Sequence, residues 1–130
     1  MYEKLEIFQM ASAMARHAET RQALTARNIA NADTPGYKAR DLASFADTYK
    51  QQTNDISLRN TRAGHISDVG GGFNSGSTIV AGKGSESPNG NNVSLETERM
   101  KGAEVRAQHD RALAIYHSSL NILRTSLGRR

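Results

Sequence analysis

The residues best suited to chemistry in this chain of 130 residues are a glycine-flanked lysine, four histidines and scattered serines. The segment from Gly76 to Lys83 has the outline of a phosphate-binding loop, in which backbone N–H groups and a lysine hold a nucleotide. That loop requires four residues between its glycines and a hydroxyl group after its lysine. Here five residues separate Gly76 from Gly82 and Gly84 follows the lysine, so the segment does not predict a nucleotide site.

Metal binding and nucleophilic catalysis also lack their residue patterns. A zinc site needs histidine, cysteine or carboxylate ligands at short spacing, and the chain contains no cysteine. No serine lies in a nucleophile-elbow pattern, and Asp110 follows His109 on a predicted helix, where neighbours point to different faces. The sequence predicts no catalytic residue, metal site or cofactor. The histidines are expected to be surface or packing residues: His17, His65, His109 and His117.

The net charge of +4 raises the question of nucleic-acid binding, which favours clustered lysine and arginine. Aromatic residues make up only 5% of the chain, too few to build a stacking platform for bases. The basic residues are interleaved with acidic ones, as on a solvated or inter-subunit helix face. We expect no nucleic-acid partner, and a small basic helical nucleic-acid-associated protein remains the alternative. The residues concerned are Arg16, Arg21, Arg27, Lys101, Arg106 and Arg111, with Glu19, Glu96, Glu98, Glu104 and Asp110.

Helical patterns at both ends of the chain would position any functional residue. The first spans about residues 3–31, and the second spans about residues 94–128 with Ser94 as a plausible N-cap. The second helix has a stripe at steps of three and four, which is coiled-coil spacing, formed by Leu113, Tyr116, Leu120, Leu123 and Leu127. Met100, Ala103 and Ala107 follow the same rhythm out of phase, which predicts a stutter near Asp110. The expected packing residues are Leu5, Ile7, Phe8, Met14, Leu113, Tyr116, Leu120, Leu123 and Leu127.

Between these helices, about residues 32–92 form an extended region rich in Gly, Ser and Asn, with eight of the eleven glycines between Gly64 and Gly90. Short strands are possible at Ile56-Ser57-Leu58 and Thr78-Ile79-Val80. We therefore predict a mainly α fold in a single domain, residues 1–130, in which two long terminal helices form a coiled-coil hairpin. A soluble coiled-coil adaptor is a second alternative, and it would form an oligomer of fixed mass.

The first helix ends in a specific turn. The side chain of Asn31 suits a left-handed helix cap, and Pro35 excludes helical geometry at Thr34. Pro35 and Gly36 fit the two central positions of a type II turn, which needs a positive φ at the second of them. The chain is therefore redirected at this point into an extended segment.

Two sequence blocks flank the predicted helices. The first ends the N-terminal helix, continues through Lys38 to Leu42, and contains Asn28, Ile29, Ala30, Asn31, Thr34, Pro35, Gly36 and Tyr37. The second runs from Asn89 to Met100, opens the C-terminal helix, and contains Asn91, Asn92 and Val93. In this order the blocks resemble the signature of the axial proteins of the bacterial flagellum, the family of rod and hook subunits. The length favours a proximal rod subunit, because hook and distal rod relatives carry large inserted domains that 130 residues cannot hold.

The resemblance implies a structural subunit and not an enzyme. Such a subunit packs into the helical tube of the proximal rod in the basal body, which spans the periplasm, transmits torque and surrounds the export channel. The implied partners are copies of itself, the rod proteins FliE, FlgC and FlgF, and the flagellar type III export apparatus. The first residues do not resemble a secretory signal peptide. No apolar run approaches the roughly 20 residues that are needed to cross a bilayer. We expect export from the cytoplasm without a cleaved signal peptide, and no transmembrane segment.

Overall fold

The computed structural model describes residues 2–53 and 78–128, with side chains from residue 6 to residue 50 and again from residue 78. Its elements are α1 (Tyr2–Ala30), β1 (Arg40–Leu42), α2 (Phe45–Thr53), β2 (Ile79–Ala81) and α3 (Leu95–Ser126). The predicted mainly α fold with two long terminal helices is confirmed. No helix in these ranges is long and apolar enough to cross a membrane.

Helices α1 and α3 lie antiparallel. The Asn28 side chain bonds to Glu98 near one end of the pair, and the Phe8 ring contacts the Tyr116 ring near the other. The buried residues on the two helices are mostly small, which lets the backbones approach closely. A series at intervals of seven runs along each helix: Ala11, Ala18 and Thr25 in α1, and Glu98, Val105 and Ala112 in α3. Helix α1 also buries Ala13, His17 and Asn28.

The repeat of buried residues corrects the sequence analysis of α3. Met100 is 70% exposed, and Ala103 and Ala107 are also exposed, so they do not form the upstream part of the packed stripe. The buried residues of α3 are instead Glu98, Val105 and Ala112, and the stutter near Asp110 stays a prediction. The assignment of Met100 to the stripe failed because it followed apolar residues, whereas the position that faces inward is occupied by a charged one.

The described part of the middle region contains a small sheet. Strands β1 and β2 form a two-stranded antiparallel sheet in which Asp41 pairs with Val80. The strand predicted at residues 78–80 is therefore confirmed with a shift of one residue, whereas the one predicted at residues 56–58 lies outside the described residues.

Helix α2 was not predicted. Its N-terminus is capped by Ser44, whose hydroxyl oxygen accepts the backbone N–H of Asp47 at 3.2 Å while its hydroxyl bonds to the Asp47 carboxylate. This reciprocal arrangement resembles a capping box. The following residue, Phe45, places its ring edge-to-face against His17 of α1, with the ring centroids 5.6 Å apart. His17 is 1% exposed, and its Nε2 donates to the Ala43 carbonyl oxygen at 2.8 Å, so α1 holds the start of α2 in place.

Candidate functional site

Asn28 lies at the centre of the site, and it is only 1% exposed. Its amide nitrogen donates to the Arg40 carbonyl oxygen at 2.8 Å and to Glu98 Oε2 at 3.0 Å. Its amide oxygen accepts the Tyr37 hydroxyl at 3.1 Å and the Arg40 backbone N–H at 3.2 Å. All four hydrogen-bonding positions of the amide are therefore used. This single side chain connects α1, the turn, β1 and α3.

Asn91 closes the C-terminus of α1 from a distant part of the sequence. Its amide nitrogen lies 2.8–2.9 Å from the carbonyl oxygens of Asn31, Ala32 and Thr34, and its Oδ1 accepts the Val93 backbone N–H at 2.7 Å. These carbonyl oxygens belong to the turn that directly follows α1, so this side chain ties that turn to the segment before α3. The second sequence block is thus placed directly against the end of the first.

The turn after α1 has the geometry that Pro35 and Gly36 predicted. Gly36 has φ +73°, and the backbone N–H of Tyr37 donates to the Thr34 carbonyl oxygen at 3.3 Å. The prediction for Asn31 is wrong, because no residue other than glycine has a positive φ in the described ranges. Asn31 acts through its side chain instead, since its amide nitrogen donates to the Arg27 carbonyl oxygen at 2.8 Å.

The segment that leads into α3 approaches other backbone very closely. A Cβ atom on Gly84 would lie 2.1 Å from the carbonyl oxygen of Asn92, a distance that no side chain could accept without movement. Asn92 Oδ1 in turn accepts the Ala39 backbone N–H at 2.6 Å. Ser94 occupies the N-cap position of α3 as predicted, but its side chain makes no capping hydrogen bond.

Four charged side chains surround the inner end of this network. Arg21 Nε lies 2.9 Å from Asp41 Oδ1, and Lys101 Nζ lies 3.3 Å from Asp41 Oδ2 and 2.9 Å from Glu98 Oε1. From the sequence, we expected Arg21, Glu98 and Lys101 on solvated or inter-subunit helix faces. Instead their side chains are only 16%, 3% and 19% exposed, and each has an opposite charge beside it. We call Asn28, Tyr37, Asn91 and this charged group the motif junction.

The pKa values in this cluster favour the charged forms. Burial alone would raise the pKa of the Asp41 carboxyl, but hydrogen bonds from Arg21 and the Leu42 backbone N–H, with the charge of Lys101, hold that pKa below its usual value. The hydrogen bond to Asp41 raises the pKa of Arg21. Burial opposes the charge of Lys101, but the hydrogen bond to Glu98 and the nearby carboxylates raise its pKa. The cluster is therefore a set of charges that stabilise one another.

The motif junction joins separate segments of the chain through hydrogen bonds and ion pairs. The hydrogen bonds of Asn28 and Asn91 all go to protein groups, so neither amide is directed at a ligand. Within residues 2–53 and 78–128, no three His, Asp or Glu residues lie close enough together to hold a metal ion. Sequence reasoning found the asparagines through their blocks but missed Asp41 and Glu98. The signal available for both was their position inside or next to those blocks.

The predicted packing residues lie at the opposite end of the helix pair. Phe8 contacts Tyr116 edge-to-face with ring centroids 5.3 Å apart, which brings two of them together. Ile7, Leu113, Tyr116 and Leu127 are 39%, 42%, 40% and 76% exposed. Met14, Leu120 and Leu123 are half-buried, and the side chain of Leu5 lies outside the described residues. We call Ile7, Phe8, Leu113, Tyr116, Leu120, Leu123 and Leu127 the apolar end.

The remaining block residues lie around the motif junction. Val93 is half-buried, whereas Ile29, Ala30, Thr34 and Pro35 are exposed. The blocks therefore contain two kinds of position. The asparagines and Tyr37 hold the subunit together, and the exposed residues leave apolar and turn surface available on its outside.

Comparison with known proteins agrees with the blocks. The family model described as "Flagella basal body rod protein" matches residues 10–38. The flagellar basal body rod protein FlgB of Cereibacter sphaeroides is 36% identical over 109 residues, 84% of each chain. The FlgB protein of Salmonella typhimurium is 32% identical, and the match covers 77% of each chain. The FlgB protein of Bacillus subtilis is 29% identical, and the match covers 93% of this chain and 92% of the relative. Because identity above 30% extends over most of both chains, this chain belongs to the family of the flagellar basal body rod protein FlgB, the structural rod subunits of the flagellar basal body.

Proposed function

We propose that this subunit packs side by side with copies of itself and with other rod proteins to build the helical tube of the proximal rod. The observation that carries the proposal is the apolar end, where four large side chains are between 39% and 76% exposed. A stripe of this kind at steps of three and four is suited to another helix. The exposed packing residues predicted from the sequence would then act between subunits, whereas Phe8 and Tyr116 also contact each other within one.

Burial of this surface would stabilise the assembly repeatedly. Each square ångström of apolar surface removed from water contributes about 25 cal/mol, and the contribution recurs at every contact in the tube. Contacts between unlike surfaces that do not close into a ring produce an open helical array. A tube held by many such contacts would be stiff enough to transmit torque and would leave a central channel for export.

The subunit would act as one rod-type domain, since the motif junction joins both helices and the sheet. We infer that its neighbours are copies of itself, FliE on the membrane side, and FlgC and FlgF beyond. We also infer that it leaves the cytoplasm through the flagellar type III export apparatus without loss of a signal peptide. Membership of the FlgB family supports these roles, and the exposed apolar end provides the surface they need.

The test is electron microscopy of basal bodies from the source bacterium after in-frame deletion of the gene, with complementation from a plasmid. We expect membrane rings without rods in the deletion strain and rods after complementation. Intact rods in the deletion strain would overturn the proposal.

Point variants then test the apolar end itself. Leu113→Asp and Leu120→Asp should fail to restore motility, whereas Leu113→Met, which keeps an apolar side chain of similar volume, should restore it. His109→Ala should also restore it, because His109 lies outside the apolar end. Normal motility with both aspartate variants would exclude the apolar end as a packing surface.

A further inference from the structure

Exposed large apolar side chains occur in three places in the described ranges. They lie at the apolar end with the nearby Ile122, on strand β2, and beside the motif junction at Ile29, Leu95 and Met100. An open helical assembly needs two unlike surfaces on every copy, one that fits into the other. If the apolar end is one of these surfaces, the second must be another exposed part of the same subunit.

Ile29 and Leu95 are the candidates for this second surface, and we call them the junction patch. They are 39% and 46% exposed, and both lie within one helical turn of the hydrogen bond between Asn28 and Glu98. Met100 is five residues from Leu95 and therefore points to a different side of α3. The backbone under the patch is fixed by the buried Asn28 amide. A fixed surface loses little conformational entropy when a partner binds.

Charges at the two ends of the helix pair are complementary. At the apolar end, α1 carries Glu6 and α3 carries Arg124, whereas beside the junction patch α1 carries Arg27 and α3 carries Glu96. All four side chains are exposed, and none forms an ion pair with a described residue. Each helix therefore carries an acidic residue near its N-terminus and a basic residue near its C-terminus. The C-terminal end of a helix in one copy is thus opposite in charge to the N-terminal end of the same helix in another copy.

We propose that the apolar end of one copy packs on the junction patch of a second copy, with Arg124 beside Glu96 and Glu6 beside Arg27. This inference rests on the proposed function and adds to it the surface that receives the apolar end. The occupant is a second copy of this chain because the charge pattern matches on both helices at once. Strand β2 fits less well, because Lys38 and Glu86, two charges close to the sheet in the sequence, already pair with each other.

The first test uses the absence of cysteine from the chain. A variant with Leu95→Cys and Leu127→Cys has its two thiols about 48 Å apart along α3, so one molecule cannot cross-link to itself through them. Assembled rods treated with a short bis-maleimide should give a ladder of dimers and larger multiples of this chain. A matched variant with Leu127→Cys and Ser118→Cys, which lacks the junction-patch thiol, should give no ladder.

Two outcomes would overturn this proposal while the proposed function stands. One is motile cells with intact rods whose double-cysteine subunits remain monomeric after treatment. The other is cross-linking of the subunit only to a different rod protein, which would make that protein the occupant. Loss of rods in the gene deletion strain tests the proposed function independently of both.

Charge reversal provides a second test. Arg124→Glu and Glu96→Arg should each reduce the number of intact rods about tenfold, because each brings like charges together in the interface. The variant with both changes restores an opposite pair at every contact and should recover most of the rods. Glu96 and Arg124 also suit the ends of their own helix, and that effect alone would make the double variant worse than either single one. A double variant worse than both would contradict the proposal.

Discussion

At the motif junction nearly every buried polar group has a partner within the subunit, whereas at the apolar end large apolar side chains remain in contact with water. Asn28 uses all four of its hydrogen-bonding positions, and Leu127 is 76% exposed. The two ends are separated by about 30 Å of the same helices. The comparison indicates that the junction defines the conformation of one subunit, and that the apolar end is left incomplete until a neighbour covers it.

The largest expected effect on the fold comes from Asn91→Asp. This change replaces the amide nitrogen that faces three carbonyl oxygens with a carboxylate oxygen, so a buried donor becomes a charged acceptor beside three other acceptors. We expect the free energy of unfolding to fall by about 3 kcal/mol or more, as measured by urea denaturation at pH 7. The exposed Asn121→Asp on α3 is the control, and equal losses for the two variants would show that the junction does not hold the subunit together.

Gly84→Ala is expected to have the next largest effect. The added methyl group would lie 2.1 Å from the Asn92 carbonyl oxygen, so the segment beside the junction would have to move. We expect a loss of about 2 kcal/mol in thermal or urea unfolding.

Gly102→Ala is the matched control for this change, and it should have the opposite sign. Its methyl group would lie 4.0 Å from the nearest side-chain atom, that of Thr25, which is an ordinary contact. Alanine also favours a helix interior over glycine by roughly 0.5–1 kcal/mol. A loss of stability with Gly102→Ala as large as with Gly84→Ala would mean that the close approach at Gly84 is not what fixes the junction.

The two long helices and the turn could be predicted from the sequence, whereas the contacts of the motif junction could not, and the difference has a physical cause. Helical periodicity located α1 and α3, and turn chemistry located the positive φ at Gly36. Both signals come from residues a few positions apart. The contacts that define the junction join residues as far apart as Asn28 and Glu98, which are separated by 70 positions. A single sequence does not contain the register of two such distant segments.

The same limit explains the errors about helix faces and the middle region. A rule that places apolar residues inside assigned Met100 to the packed stripe, but the inward position belongs to Glu98, whose charge is matched by Lys101. Helix α2 was missed because the composition around it favours loops. The capping residues Ser44 and Asp47 were visible in the sequence, but only the contact of Phe45 with His17 shows why a helix of nine residues persists.

The charge cluster predicts how the junction responds to acid. The pKa of Asp41 is lowered in the folded state, so its contribution to stability is complete above the pKa of the unfolded chain, about 3.9, and is lost as the pH falls through the lowered value. Asp41→Asn should therefore cost about 1–2 kcal/mol at pH 7 and flatten the decline in stability below pH 5. Circular dichroism melts between pH 7 and pH 2.5 measure both quantities, and an unchanged slope would show that Asp41 does not gain from its partners.

The smallest expected effect on the isolated subunit is that of Leu113→Asp, the variant expected to abolish motility. Leu113 is 42% exposed, so an aspartate at this position can keep its carboxylate in water, and the isolated subunit loses only the part of the leucine side chain that it had itself buried. The free energy of unfolding of the purified chain should fall by no more than about 1 kcal/mol. Asn91→Asp, by contrast, should lower both stability and assembly. If Leu113→Asp unfolds the isolated chain as strongly as Asn91→Asp does, the apolar end is part of the subunit core, and the loss of motility would follow from unfolding and not from a missing contact between subunits.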